Sequence, residues 1–169
     1  MLECWFRAAL IALGLLASAL ALGMTAALPA MADEHAHAAP PYVPGLGELM
    51  SANQMRHAKL WFAGEAGNWP LAAYELDELK EGFEDILTYQ PHFKGKPIAN
   101  LLNPMTEPAL ARLEAAIAAR DRARFEAAFD ELSHACSSCH RELGYGFIVI
   151  QRPTAPPLTN QRFDAAGQP

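Results

Sequence analysis

The stretch Asp121–Leu143, DRARFEAAFDELSHACSSCHREL, decides the fold. Phe125, Ala128, Phe129, Leu132 and Cys136 recur at steps of three and four, the period of a helix with one apolar face. Asp121 stands where an N-cap belongs, and Gly144 follows Leu143 as a C′ stop. The last two turns of this helix carry Cys136-Ser137-Ser138-Cys139-His140. Two thiols at that spacing can add across the two vinyl groups of one haem. The next residue, a histidine, is then held where its imidazole can take an axial position on the iron.

Other uses of the two thiols stay open at this point. A zinc site needs about four ligands, and no second cysteine pair supplies them. A redox dithiol is expected beside a strand–helix unit, and none is visible here. A disulfide in a haem-free exported module would staple almost nothing at this separation.

Upstream of this helix the pattern predicts three more. Leu46, Met50, Asn53, His57, Leu60, Trp61 and Gly64 share one face of a first helix, with Lys59 opposite. Asn68 caps a second, with Pro70 in its first turn and an end near Gln90-Pro91. Its apolar stripe runs from Trp69 through Leu76 and Phe83 to Leu87, and its carboxylates, Glu75 among them, are read as a solvated face. Residues 91–107 hold Pro91, Gly95, Pro97 and Pro104 and are expected to form a long irregular link. Ile98 to Leu102 is expected to make at most a short turn within that link. Thr106 is then expected to cap a third helix with Leu110, Leu113 and Ile117 inward. The expected fold is all-α, an antiparallel four-helix bundle over residues 46–144 with haem near the end of its last helix. Residues 145–169 form a C-terminal extension, in which Tyr145 to Ile150 packs on the bundle and the chain from Pro153 is loose.

The ends of the chain fit this reading. Arg7 precedes an apolar run from Ala8 to Leu28, and Ala30-Met31-Ala32 forms a small-residue cleavage site. Residues 1–32 therefore read as a secretory signal peptide, with an uncleaved anchor as the alternative, and export places the protein in the periplasm. Residues 33–45, with His35, His37, Pro40, Pro41 and Pro44, read as a flexible segment. Of the three cysteines only Cys136 and Cys139 survive removal of the leader. The chain of about 135 residues that remains is one domain's worth. A net charge of −6 argues against nucleic acid as a partner, and no membrane association is expected once the leader is gone.

With helices first and Cys136-Ser137-Ser138-Cys139-His140 last, the chain resembles the class II c-type cytochromes, the group that contains cytochrome c prime. The resemblance covers about residues 46–143 and implies one covalent haem c, thioethers to Cys136 and Cys139, and His140 as proximal iron ligand. It also implies electron transfer with a redox protein partner, or, with the sixth position open, binding of nitric oxide or carbon monoxide. Pairing of two copies through the early helices is a further implication. The chain departs from the family in continuing twenty-nine residues beyond His140.

In that family the first helix crosses the distal face of the haem. Here it offers His57 and, seven residues earlier and nearly in phase, Met50 as candidate sixth ligands, while Met55 points away. His57 as a hydrogen-bonded core histidine and Met50 as core packing are the competing readings. Arg56, Lys59 and Arg141 are candidates to pair with propionates. Trp61, Phe62, Trp69, Phe125 and Phe129 are candidates to line the pocket, or are simply core. His92 and His134 read as surface residues. No nucleophile–base pair, phosphate-binding glycine loop or second metal motif is present, so no enzymatic activity is expected.

Overall fold

The structure, a computed structural model, describes residues 40–164. Residues 1–32, expected to form a leader, and His35 and His37 lie outside the described residues. Four helices account for most of this part of the chain: α1 (Leu46–Glu65), α2 (Trp69–Tyr89), α3 (Ala99–Ala118) and α4 (Arg122–Glu142). Between α2 and α3 stand β1 (His92–Phe93) and β2 (Lys96–Pro97), an antiparallel pair. Its two-residue turn has both Lys94 and Gly95 at positive φ, the conformation that matches strand twist in a tight hairpin.

The expected caps are present. Asn68 Oδ1 accepts from Leu71 N (3.3 Å), Asp121 Oδ1 accepts from Arg124 N (3.1 Å), and Gly144 has a φ of 83°. The start of α3 is a correction. Thr106 is no cap; it is buried in mid-helix and its Oγ1 donates to Leu102 O at 2.8 Å. The helix begins at Ala99 and runs through Pro104 and Pro108. Both prolines are on the exposed face, as is Asn100, so the carbonyls they leave without an N–H partner can take water. Exposure of the freed carbonyls lowers the cost of the two prolines in this helix.

α1 packs chiefly on α2 and α3 on α4; α2 meets α3, and α4 closes on α1 over a shorter stretch. The core holds Leu60, Leu79, Ile86, Leu113, Phe125, Phe129 and Leu132, all fully or nearly fully buried. Trp61 packs tilted against Phe129 (4.9 Å between centroids) and Trp69 meets Phe125 edge-on (6.1 Å). These aromatics are core.

Two more expectations are corrected here. Glu75 is not on a solvated face: it is completely buried on α2, and Lys59 Nζ of α1 reaches its Oε1 at 2.5 Å. Lys59 therefore sits between the two helices rather than opposite the packed face. The chain beyond Pro153 is not loose either. Phe163 is buried against Phe62 (5.6 Å), and just before Pro153 Arg152 forks onto Asp130 (2.6 and 2.7 Å) while its guanidinium covers Trp61 at 4.5 Å. Within 145–150 only part of the segment packs, since Phe147 and Val149 are exposed. Among the described residues no helix is long and apolar enough to cross a membrane.

Candidate functional site

Between α1, α2 and α4 lies a cavity of about 330 Å³. α1 supplies Leu46, Met50, Asn53 and His57 to its wall; α2 supplies Leu79 and Phe83; α4 supplies Cys136 and His140. Phe93 of β1 and Tyr145, Ile148 and Ile150 of the extension complete it. Four of the five candidate residues thus meet at one mostly apolar space. Cys139, the fifth, is buried on α4 one turn after Cys136.

His140 sits at the C-terminal end of α4, and the extension turns back over it. Its Nδ1 lies 3.1 Å from Ile148 O. A carbonyl only accepts, so Nδ1 carries the proton and Nε2 keeps the lone pair a metal would need. The turn is pinned by Ser137, whose Oγ accepts from Ile150 N at 2.9 Å and whose hydroxyl donates to Ser133 O at 3.0 Å. Cations gather at this helix end. Lys96 Nζ donates to Glu142 O (3.0 Å), Lys94 lies over the Tyr145 ring (4.5 Å), and Arg141 Nη2 donates to Ser138 Oγ (2.7 Å).

Both thiols are free. Burial, with a smaller contribution from Cys139, pushes the Cys136 thiol up to about 12, and burial and Glu142 raise that of Cys139. Redox Cys-x-x-Cys pairs work through a thiolate stabilised at a helix N-terminus. Here the pair stands in the last two turns of a helix, where the dipole disfavours the anion. The site therefore opposes dithiol redox chemistry.

His57 is buried on α1, tilted against Phe129 with centroids 4.2 Å apart. Its Nε2 is 3.0 Å from Ser133 Oγ, and that hydroxyl donates to Phe129 O at 2.9 Å. With the serine proton committed, Nε2–H is the donor and the ring is neutral. Burial lowers its pKa to about 4. Met50 lies half-buried on the same wall, and Met55 is exposed as expected.

Several expected partners are elsewhere. Arg56 is engaged by Asn53 Oδ1 and Glu78 Oε2, and Lys59 by Glu75. Trp61, Phe62, Trp69, Phe125 and Phe129 do not line the cavity; Phe83, Phe93 and Tyr145 do. His92 and His134 are exposed. Asn53, placed by the sequence on the same face of α1 as His57 with no role assigned, also lines the cavity.

The residues present fit a covalently held haem. An apolar cavity is bounded by one thiol and by an imidazole whose Nε2 is free, and a second thiol follows on the same helix. Among the described residues no group of three or more His, Cys, Asp or Glu is placed to hold a bare metal ion. Compared with protein families, curated proteins and solved structures, the chain matches none of them.

Proposed function

We propose that this chain is an exported monohaem c-type cytochrome, an antiparallel four-helix bundle of class II type that carries electrons in the periplasm. The observation that carries the reading is the convergence of Cys136, His140, Met50 and His57 on one apolar cavity. Cys136 and Cys139 would hold the haem through thioethers, each from redox-neutral addition of an Sγ–H across one vinyl group. Haem, once bound, supplies an iron that changes oxidation state by one electron.

The chain's own residues then have separable tasks. The Ile148 carbonyl holds His140 in the tautomer that presents Nε2. Leu79, Phe83 and Leu46 exclude water, which limits reorganisation when the charge on the site changes. Met50, which has no hydrogen bond to give up, would be the sixth ligand under this reading, ahead of His57, which is bonded to Ser133. A redox protein is the partner, and a homodimer through α1 and α2 is compatible with this arrangement.

A second reading, binding of nitric oxide or carbon monoxide at five-coordinate iron, is favoured by His57. Its Nε2 is tied to Ser133, so it would have to give up that bond to coordinate through this atom. Visible spectra of the mature protein, wild type and Met50→Leu, test both. Sharp reduced bands insensitive to CO in the wild type and lost in the variant support electron transfer. A broad spectrum that responds to CO in both supports gas binding. A wild type with no Soret band overturns the cytochrome reading.

A further inference from the structure

The turn that follows α4 presents apolar side chains to solvent. Phe147 is 79% exposed, Val149 66% and Ile148 39%. Single exposed apolar residues are ordinary, but three in succession on a held turn mark a surface built for contact. The turn is held from inside, where Ile148 O accepts from His140 Nδ1 and Ile150 N donates to Ser137 Oγ. Lys94, Lys96 and Arg141 surround it. Lys94 Nζ stands 4.5 Å from the centre of the Tyr145 ring, which is itself 5.6 Å from that of Phe147. Lys96 Nζ donates to Glu142 O, and Arg141 runs along Gly146, where a Cβ would come within 3.2 Å of its Cγ. Each of the three cations thus rests on a neutral group. Most lysines and arginines among the described residues are paired with a carboxylate; these three are not, and Arg120 is the one other. Glu142 is the single acid in segments 91–97 and 140–150. A chain of net charge −6 therefore gathers uncompensated positive charge around its exposed apolar tip.

We propose that this face, Phe147 and Val149 within a rim of Lys94, Lys96 and Arg141, docks an acidic surface of a redox protein. An aromatic centre inside a polar rim is the common build of protein interfaces, and electron-transfer encounters are small, burying under about 1,200 Å². The inference rests on the cytochrome reading above and gives its partner a place and a charge. Phe93, Tyr145 and Ile148 line the cavity, so the face lies on the outside of the same wall. His140 is joined to it by the hydrogen bond to Ile148 O, which gives an electron leaving the site a short route to the partner. A bilayer fits less well, since clusters that recognise anionic lipid hold about four to eight cations.

The test uses mature holoprotein of wild type, Lys94→Gln/Lys96→Gln and Phe147→Ser, with an acidic blue-copper protein of higher potential as the probe. Binding of the Cu(I) probe to the ferrous protein, a pair that cannot react, is mapped by amide NMR shifts. Stopped flow with the Cu(II) probe then follows the passage of one electron, which oxidises the ferrous protein and reduces the copper. Shifts centred on 93–97 and 141–150 are expected, with a second-order rate that falls as salt rises. At low salt the lysine variant should be slower about tenfold and the Phe147 variant about fivefold. Oxidation by the cationic tris(phenanthroline)cobalt(III) complex should slow in neither. Shifts centred elsewhere, or a probe rate indifferent to these variants, overturn the inference and leave the cytochrome reading intact. Cosedimentation with phosphatidylglycerol vesicles that the variants abolish, or a dimer that they dissociate, assigns the face to a bilayer or to a second copy and overturns it as well. A wild type without covalent haem overturns the cytochrome reading and this inference with it.

Discussion

Acid should destabilise this protein through His57. The ring is buried against Phe129, neutral, and donates through Nε2 to a serine that is itself fully used. Protonation would place a charge in that setting, and burial lowers the pKa to about 4 from the ordinary 6.5. Below pH 6.5 the unfolded chain takes up a proton that the folded chain refuses. Stability from this group is therefore full above pH 6.5, falls between 6.5 and 4, and is flat below. The loss is about 2 kcal/mol at pH 5 and saturates near ~3 kcal/mol below pH 4. Urea unfolding followed by circular dichroism at pH 7.5, 6 and 5 measures it in wild type and in His57→Gln, which cannot titrate. The stability difference between the two should shift by about 2 kcal/mol between pH 7.5 and 5, against the wild type on the acid side. A difference that stays constant over that range refutes the reasoning.

Three further substitutions probe the packing of the bundle. Gly64→Ala puts a Cβ into the Phe125 ring, which is completely buried and cannot retreat, so overpacking should cost about 2 kcal/mol in denaturant unfolding. Lys59→Met strips the counter-charge from buried Glu75 and should cost about 3 kcal/mol, whereas Lys59→Met with Glu75→Leu should be more stable than Lys59→Met alone, because no charge is then left unpaired.

Much of this was legible in the sequence because helical period and caps are local. Asn68, Asp121 and Gly144 act through neighbours a few residues away, so α2 and α4 could be bounded without knowing what they pack on. α3 was misjudged for the converse reason. Whether Pro104 and Pro108 break a helix depends on which face they occupy, and that is set by tertiary packing. Glu75 likewise reads as surface until Lys59 is brought beside it from another helix. At the cavity the structure brings together Cys136, His140, Met50 and His57, whose distinctive chemistry makes them legible one residue at a time, while Cys139 is buried outside its lining. Phe93, Tyr145 and Ile148 were not recognised as cavity residues, because a hairpin and a returning tail deliver them. The large aromatics of α1 and α4 are natural candidates to line a pocket, yet they pack against each other.

Covalent haem attachment is the most direct test. The full chain is expressed with a haem-attachment system and exported. The mature protein is denatured in detergent, run on a gel and stained for haem peroxidase activity, beside a Cys136→Ser/Cys139→Ser double variant. A haem-stained band that survives denaturation in the wild type and is absent from the equally abundant variant is the predicted result. An unstained wild-type band, while a control cytochrome from the same cells stains, would contradict it.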